Sequence, residues 1–565
     1  MAQAAEPFPT SSASLSSANR CGASRALTAS FLAISFLVSL GFLSVRNTYD
    51  DENSTLAYVN SSVGQIVQMA NTRDVHPPGM YLLAHFAYQA VPSPRWMTLF
   101  TLLVLYAGLA AFTSAMTPLL ATVRARVCFL LLATLHPQLL MWGNTIRWYG
   151  WWTGLALIAV VFALQPGGKG EAGLTYARSA GLGLLLVGLF YINYITLPFI
   201  AALGAAMLVR YGWLAWKQYL LVFAVFVPLV LPQMHAFLFV HSVGSRDQRS
   251  SLPLSMARLV EATFCSEAYL PWHPLAIAAG VAFLFLGAVG VWQAARLLRA
   301  GPASATIWKL HNGLASEIVF ALAFFAVVAL TGLGGKPRNG LLLVPALAPL
   351  AALLVETLRP VAAQYAFIGC FGLWSGVGVD HLLHRTGLAK ASMINRPEEV
   401  IAFLRDTRGQ DCSVVVSYDA LLTLTVSTSK LPRMLNLTPF QNPVYQRSQR
   451  FDPAQCAAMD LYLVRSYTGG YGKVGDVVTA EMDSLARSLP GPWETRPFSL
   501  DPDAARKRKL SFIGGASDLP DYRYIVRLTP IAPSSLGDIL RELPHFSEAD
   551  GVSKPAEDFS APTEP

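Results

Sequence analysis

The sequence predicts a polytopic α-helical membrane protein of about 11 transmembrane helices with a small C-terminal extracytoplasmic α/β domain. Three observations predict it. Hydrophobic residues fill 53% of the 565 positions and charged residues only 13%, about half of what a soluble protein of this length carries. The apolar residues gather in long blocks between Arg25 and His384. Beyond about residue 385 the composition becomes that of an ordinary soluble domain.

Residues 1–24 are rich in Ser and Ala, lack apolar periodicity and read as a disordered cytoplasmic tail. The block 26–45, preceded by Arg20 and Arg25, is long for a signal peptide and has no small-residue cleavage site, so it reads as a retained first membrane helix. Further apolar blocks cover 97–118, 127–143, 149–165, 179–196, 197–210, 218–240, 273–295, 317–334, 340–356 and 361–383. The interruption at residues 191–198 leaves the fifth and sixth either short or as one broken helix. Residues 76–92 would span only about 25 Å as a helix, short of the ~30 Å hydrocarbon core. They also carry His85 and Gln89, so 77–92 is expected to lie along the interface.

The distribution of Lys and Arg sets the orientation. With the N-terminus cytoplasmic and 77–92 interfacial, most basic loops fall on the inside: Arg124/Arg126, Lys169/Arg178, Arg210/Lys217, Arg296/Arg299/Lys309 and Arg359. The first external loop is then 46–76, and the turns 144–148 and 335–339, the loop 241–272 and all residues after 384 are external. Basic residues on that outer side (Arg147, Arg246, Arg249, Lys336 and Arg338) need a reason other than topology. The formal charge of +8 comes largely from these loops, with no basic patch interleaved with aromatics, so nucleic acid is not an expected partner.

In the C-terminal part, 385–540, residues 397–408 and 480–489 read as helices, and 412–417, 461–464 and 524–528 as strands. There is no Gly-rich phosphate loop and no nucleophile elbow. Residues 541–565 are an acidic, Pro-containing tail. None of the six cysteines has metal-site spacing. Cys412 and Cys456 form a candidate disulfide if the domain faces an oxidising compartment; the alternative is two buried thiols.

Chemistry is suggested first by Asp50-Asp51-Glu52, three carboxylates a few residues after the first membrane helix. A partly desolvated carboxylate at the membrane edge suits a general base. The plain alternative is a solvated acidic turn. The same loop ends Asp74-Val75-His76-Pro77-Pro78, where the two prolines stiffen the chain beside Asp74 and His76. A helix start with an Asp nearby would look the same. For Arg147 the alternative is snorkelling at a helix end. For Lys336 and Arg338 it is an ordinary external turn. Trp148, Trp151 and Trp152 suit sugar faces, although an interfacial aromatic belt is the commoner cause. Asn53, Asn60 and Asn436 open glycosylation-type triplets that matter only in a eukaryotic host.

The acidic triplet, followed some 25 residues later by Asp-x-His-Pro-Pro with Tyr81-Leu82-Leu83, resembles the GT-C superfamily of glycosyltransferases. It is most similar to the protein-mannosyltransferase-like and lipid A aminoarabinose transferase-like branch. Asn144-Thr145-Ile146-Arg147-Trp148-Tyr149 is similar to that branch's Arg-x-Tyr at the external end of the third helix. Gly335-Lys336-Pro337-Arg338-Asn339 is similar to its late basic turn, with Asn339 where Tyr is common.

The resemblance covers about residues 26–384 and implies an inverting transfer from a polyprenyl-phosphate sugar to a hydroxyl. The acceptor would be a lipid, a polysaccharide or a protein. The expected setting is the outer face of a bacterial inner membrane. By family position Asp51 is the base, Asp50 its close rival and Glu52 an orienting partner. His76, Arg147, Lys336 and Arg338 receive the departing phosphate, and Asp74 and Tyr149 complete the site. A divalent metal shared by Asp51, Asp74 and phosphate would be compatible, although no ligand spacing demands one. A transporter would carry charges at mid-membrane and often an internal repeat. The apolar blocks are nearly charge-free and no repeat is seen. A non-catalytic scaffold would not need both acidic motifs.

Overall fold

The computed structural model describes residues 12–45, most of 52–164, 174–238, 251–264, most of 305–384 and the strands of a C-terminal sheet. The chain divides into two compact units. One comprises residues 1–46, 61–389 and 508–517; the other comprises 47–60, 390–507 and 518–565. The acidic stretch of the first loop therefore groups with the C-terminal residues and not with the helices that flank it in sequence.

The first unit is helical: α1 (Ser12–Val45), α2 (Val63–Thr72), α3 (Pro78–Ala90), α4 (Pro94–Met116), α5 (Val123–Leu135), α6 (Pro137–Gly143) and α7 (Trp148–Leu164). It continues with α8 (Tyr176–Ile192), α9 (Thr196–Tyr211), α10 (Trp216–Ala236), α11 (Leu252–Phe264), α12 (Ala305–Leu330), α13 (Leu343–Thr357) and α14 (Val361–His384). Among the described residues, 6 helical spans are long and apolar enough to cross a membrane, and four shorter apolar helices accompany them. The expected block at 273–295 lies outside the described residues. Exposed apolar side chains such as Leu220, Leu229 and Leu373 suit contact with lipid.

Local chemistry accounts for where the helices begin and end. Ser93 caps α4 by accepting from the Trp96 N–H, with Pro94 in the first turn. Thr122 caps α5 through Ala125 N–H at 3.1 Å, and Thr175 caps α8 through Arg178 N–H at 3.3 Å. Gly212 stops α9 at φ 68°. The interruption at 191–198 resolves into two short helices. Between them Asn193 turns the chain, its Oδ1 accepting from Ile195 N–H at 2.9 Å. The third expected helix is split at His136-Pro137, because Pro137 cannot supply the amide that a continuous helix needs there.

Helices α4 and α7 cross where Gly108 meets Gly154. A Cβ on Gly108 would run into the Gly154 backbone, and one on Gly154 into the Val104 backbone. Only small residues allow so close an approach between membrane helices.

Three expectations change. Helix α1 starts at Ser12, well before the expected boundary at residue 25, because Ser and Ala do not oppose helix. The first loop, for which the sequence reading named no helix, contains α2. The helices are not free of internal charge: Glu317 in α12 is fully buried, and among the described residues neither carboxyl oxygen has a hydrogen-bond partner.

The second unit contains a five-stranded sheet: β1 (Ser413–Ser417), β2 (Met434–Leu437), β3 (Met459–Ser466), β4 (Trp493–Phe498) and β5 (Arg523–Ile531). The order is β2-β1-β3-β5-β4. β1 pairs in parallel with both β2 and β3, while β5 runs antiparallel to β3 and β4. Strand alternation puts Leu461 on one face and Asp460 and Tyr462 on the other, and all three are buried. Buried Asp460 pairs with Arg527 at 3.2 Å. The expected helices 397–408 and 480–489 and the tail 541–565 lie outside the described residues. Cys412 is disulfide-bonded, and Cys456 lies outside the described residues.

Candidate functional site

The best-defined cluster of expected site residues lies where α6 turns into α7. Buried Asn144 binds back to the end of α6, its Nδ2 donating to Leu140 O at 2.9 Å. The Thr145 hydroxyl donates to Trp142 O at 2.8 Å. These bonds hold a tight turn whose next residues are Ile146 and Arg147. Arg147 is only 4% exposed. That excludes snorkelling to water or headgroups, since a snorkelling arginine keeps its guanidinium outside the packed interior.

Two short 3-10 turns, Leu333–Gly335 and Pro337–Gly340, lead into α13 and carry Arg338. Asn339 braces them by donating from Nδ2 to Leu333 O at 2.8 Å. Arg338 is 8% exposed, and its Cζ stands 5.2 Å from the Trp142 ring centre and 5.6 Å from that of Tyr149. The two rings meet edge to face at 5.2 Å, and Trp148 packs on Tyr149 at 4.4 Å. A guanidinium over aromatic faces gains about 0.5–2 kcal/mol per contact, more where water is excluded. Its in-plane N–H groups match the geometry of an oxyanion.

The structure thus brings Arg338 and Tyr149 into contact and puts Arg147 two residues from Tyr149. His76 is held by a different element. Its Nδ1 lies 3.4 Å from Asn193 Nδ2, on the α8–α9 turn, and Pro77 and Pro78 lead from it into α3. Glu52 is fully buried and belongs to the second unit. Asp50, Asp51, Asp74 and Lys336 lie outside the described residues. Among the described residues no three His, Cys, Asp or Glu side chains gather to hold a metal.

The tryptophan cluster is not an interfacial belt. Trp148, Trp151 and Trp152 are all buried. The Trp152 indole N–H donates to Thr196 Oγ1 at 2.8 Å, and its ring stacks on Phe324 at 6.1 Å. Among the described residues, Asn144 Oδ1 and Trp148 Nε1 are buried without a hydrogen-bond partner. Trp142, the ring beneath Arg338, does not stand out in the sequence because it ends an apolar block as an ordinary core residue would. Its one signal is a tryptophan and a tyrosine seven residues apart around an arginine.

No known protein family and no curated protein matches the sequence. Solved structures do match. ArnT from Cupriavidus metallidurans bound to undecaprenyl phosphate aligns over 88% of this chain and 97% of its own, with 12% identity and a TM-score of 0.51. Its apo form gives 13% identity over the same shares, with a TM-score of 0.49. An Archaeoglobus fulgidus oligosaccharyltransferase, in complex with Zn and sulfate, aligns over 77% of this chain and 68% of its own at 13% identity and a TM-score of 0.40. The match to the undecaprenyl phosphate-bound ArnT spans most of both chains, and this chain therefore shares the fold of that structure.

Proposed function

We propose that the protein is an inverting glycosyltransferase that moves a sugar from a polyprenyl phosphate to an acceptor hydroxyl at the outer membrane face. The observation that carries this reading is Arg338 seated on Trp142 and Tyr149, with buried Arg147 in the adjoining turn. Two buried cations at one end of a helical unit suit a phosphate anion leaving in a low-dielectric setting. Pre-placed donors of this kind typically lower a barrier by a few kcal/mol each. The fold supports the reading, because the ArnT structure that shares it holds undecaprenyl phosphate.

In this mechanism the acceptor oxygen attacks the anomeric carbon from the face opposite the lipid phosphate. Asp51 takes its proton, with Asp50 the rival and Glu52 orienting. The C–O bond to the phosphate breaks as the new one forms, which inverts the centre. The phosphate takes the bonding pair and is met by Arg147, Arg338, Lys336 and His76. Tyr149 supports Arg338 from below, and Asp74 orients His76. A divalent ion held by Asp51 and Asp74 would add a further positive charge at the phosphate. The acceptor is a lipid, a polysaccharide or a protein, and the C-terminal unit is assigned to its binding.

The test is sugar transfer by membranes containing the protein, given a panel of polyprenyl-phosphate sugars. Asp51→Asn is expected to lower transfer about 10²–10⁴-fold while the protein still inserts. Unchanged transfer in that variant would remove Asp51 as base. Glu317, buried within α12, is the one observation that favours transport instead. Donor movement between leaflets that depends on Glu317, with no transfer to any acceptor, would establish that second reading.

A further inference from the structure

Arg338 is positioned by a chain of contacts that begins on the far side of α6. His136, between α5 and α6, is buried. Its Nδ1 accepts from the Gln138 N–H at 3.1 Å, capping α6. A ring nitrogen that accepts carries no proton, so the hydrogen of the neutral ring is on Nε2. Nε2 lies 2.7 Å from Thr263 O and donates to it. That carbonyl belongs to the last turn of α11, where helix carbonyls have no partner within the helix. The imidazole is steadied by the Trp374 ring, 4.8 Å away edge to face.

From Thr263, α11 runs over the two 3-10 turns. Its inward stripe is Ser255, Leu259 and Thr263, one residue per turn and all buried. Ser255 and Leu259 cover Gly334, and Leu259 covers Gly340. A Cβ on Gly340 would lie 2.8 Å from Leu259 Cδ2, and one on Gly334 2.7 Å from Leu259 Cγ. Gly334 and Gly340 flank Arg338, whose guanidinium returns to Trp142 on α6. The contacts thus close a ring: His136, Thr263, Leu259, Gly340, Arg338, Trp142, and back along α6 to His136.

We infer that His136 is a positioning residue for this site: through Thr263 and α11 it fixes the height of the Arg338 turn over Trp142, and so sets the affinity for the lipid phosphate. This rests on the proposed reading of Arg338. The ring of contacts gives a reason for the break at Pro137 in the third span. The break frees His136 to cap one helix end with one nitrogen and hold another with the other, and no residue inside a continuous helix does both.

The test uses the full chain in phosphatidylcholine nanodiscs, with undecaprenyl phosphate and undecaprenol as probes. Arg338→Ala is expected to weaken undecaprenyl phosphate binding at least about tenfold and to leave undecaprenol unchanged. His136→Ala should do the same, and the double variant should bind no more weakly than Arg338→Ala alone, because both act on one element. His136→Gln, whose amide N–H reaches towards Thr263 O, should recover binding to within about threefold. Gly340→Ala, which pushes Leu259 outward and leaves His136 intact, should also weaken the phosphate probe selectively. If His136→Ala weakens both probes equally, or if its effect multiplies with that of Arg338→Ala, its role is general packing and the inference fails. If Arg338→Ala weakens neither probe, the phosphate reading itself fails, and the positioning role with it. Gly340→Ala keeps the question open to test if the histidine variants do not fold.

Discussion

Two arginines, a half-buried one in the sheet and a buried one in the helical unit, are held in different ways. Arg527 in the sheet lies 3.2 Å from the buried Asp460 carboxylate, with the Tyr462 ring at 5.9 Å. Arg338 in the helical unit rests on the faces of Trp142 and Tyr149. A carboxylate cancels a guanidinium's charge. A ring face attracts the charge without cancelling it. The first arrangement ties two strands of a sheet together, and the second packs a guanidinium against rings from two successive helices. An enclosed arginine is therefore a poor sign of function by itself.

The comparison is tested most strongly at Asp460. Asp460→Ala should destabilise the C-terminal unit by about 1–3 kcal/mol, because it leaves the half-buried Arg527 guanidinium without its carboxylate. Thermal unfolding or protease sensitivity would show it, and Asp460→Ala with Arg527→Met should recover most of the loss. Equal stability of the single variant would mean the pair is incidental. Next comes Arg338→Ala, expected to lower sugar transfer about 10²–10³-fold with little change in unfolding temperature. A large stability loss with normal transfer would make the two arginines alike and break the contrast. Arg338→Lys should fall between wild type and alanine, at about a tenfold loss, because an ammonium lacks the planar fork. The smallest effect is expected at Glu317. Glu317→Gln keeps shape and removes ionisation, and transfer should stay within about twofold if the carboxyl has no part in the chemistry.

The membrane character and most helix positions were legible in the sequence because apolar blocks of about 20 residues are long enough to cross a bilayer and too long for most soluble cores. β1, β3 and β5 were legible from their β-branched or aromatic runs. β4, Trp-Glu-Thr-Arg-Pro-Phe, was not, because its alternation sets charged residues against apolar ones at ordinary loop polarity. β2 is too short for any period to show. Arg147 and Arg338 stood out in the sequence because, in the orientation expected from the basic loops, they break the charge rule for the outer face. The rings that hold Arg338 were not, since Trp142 and Tyr149 meet only when α6 and α7 fold back on each other. His136 was missed for the same reason: its partner Thr263 is 127 positions away. Glu317 was missed because one carboxylate near the start of an apolar block looks like a boundary residue.

The crossing of α4 and α7 at Gly108 and Gly154 has a further consequence. Leucine seams hold helices through side chains that gain freedom as temperature rises. Here two backbones touch with nothing between them, so the joint has no rotamers to release. The turn that carries Arg147 begins two turns of α7 away from it. The arginine's place relative to α4 is thereby set by a backbone contact and not by the packing of long side chains.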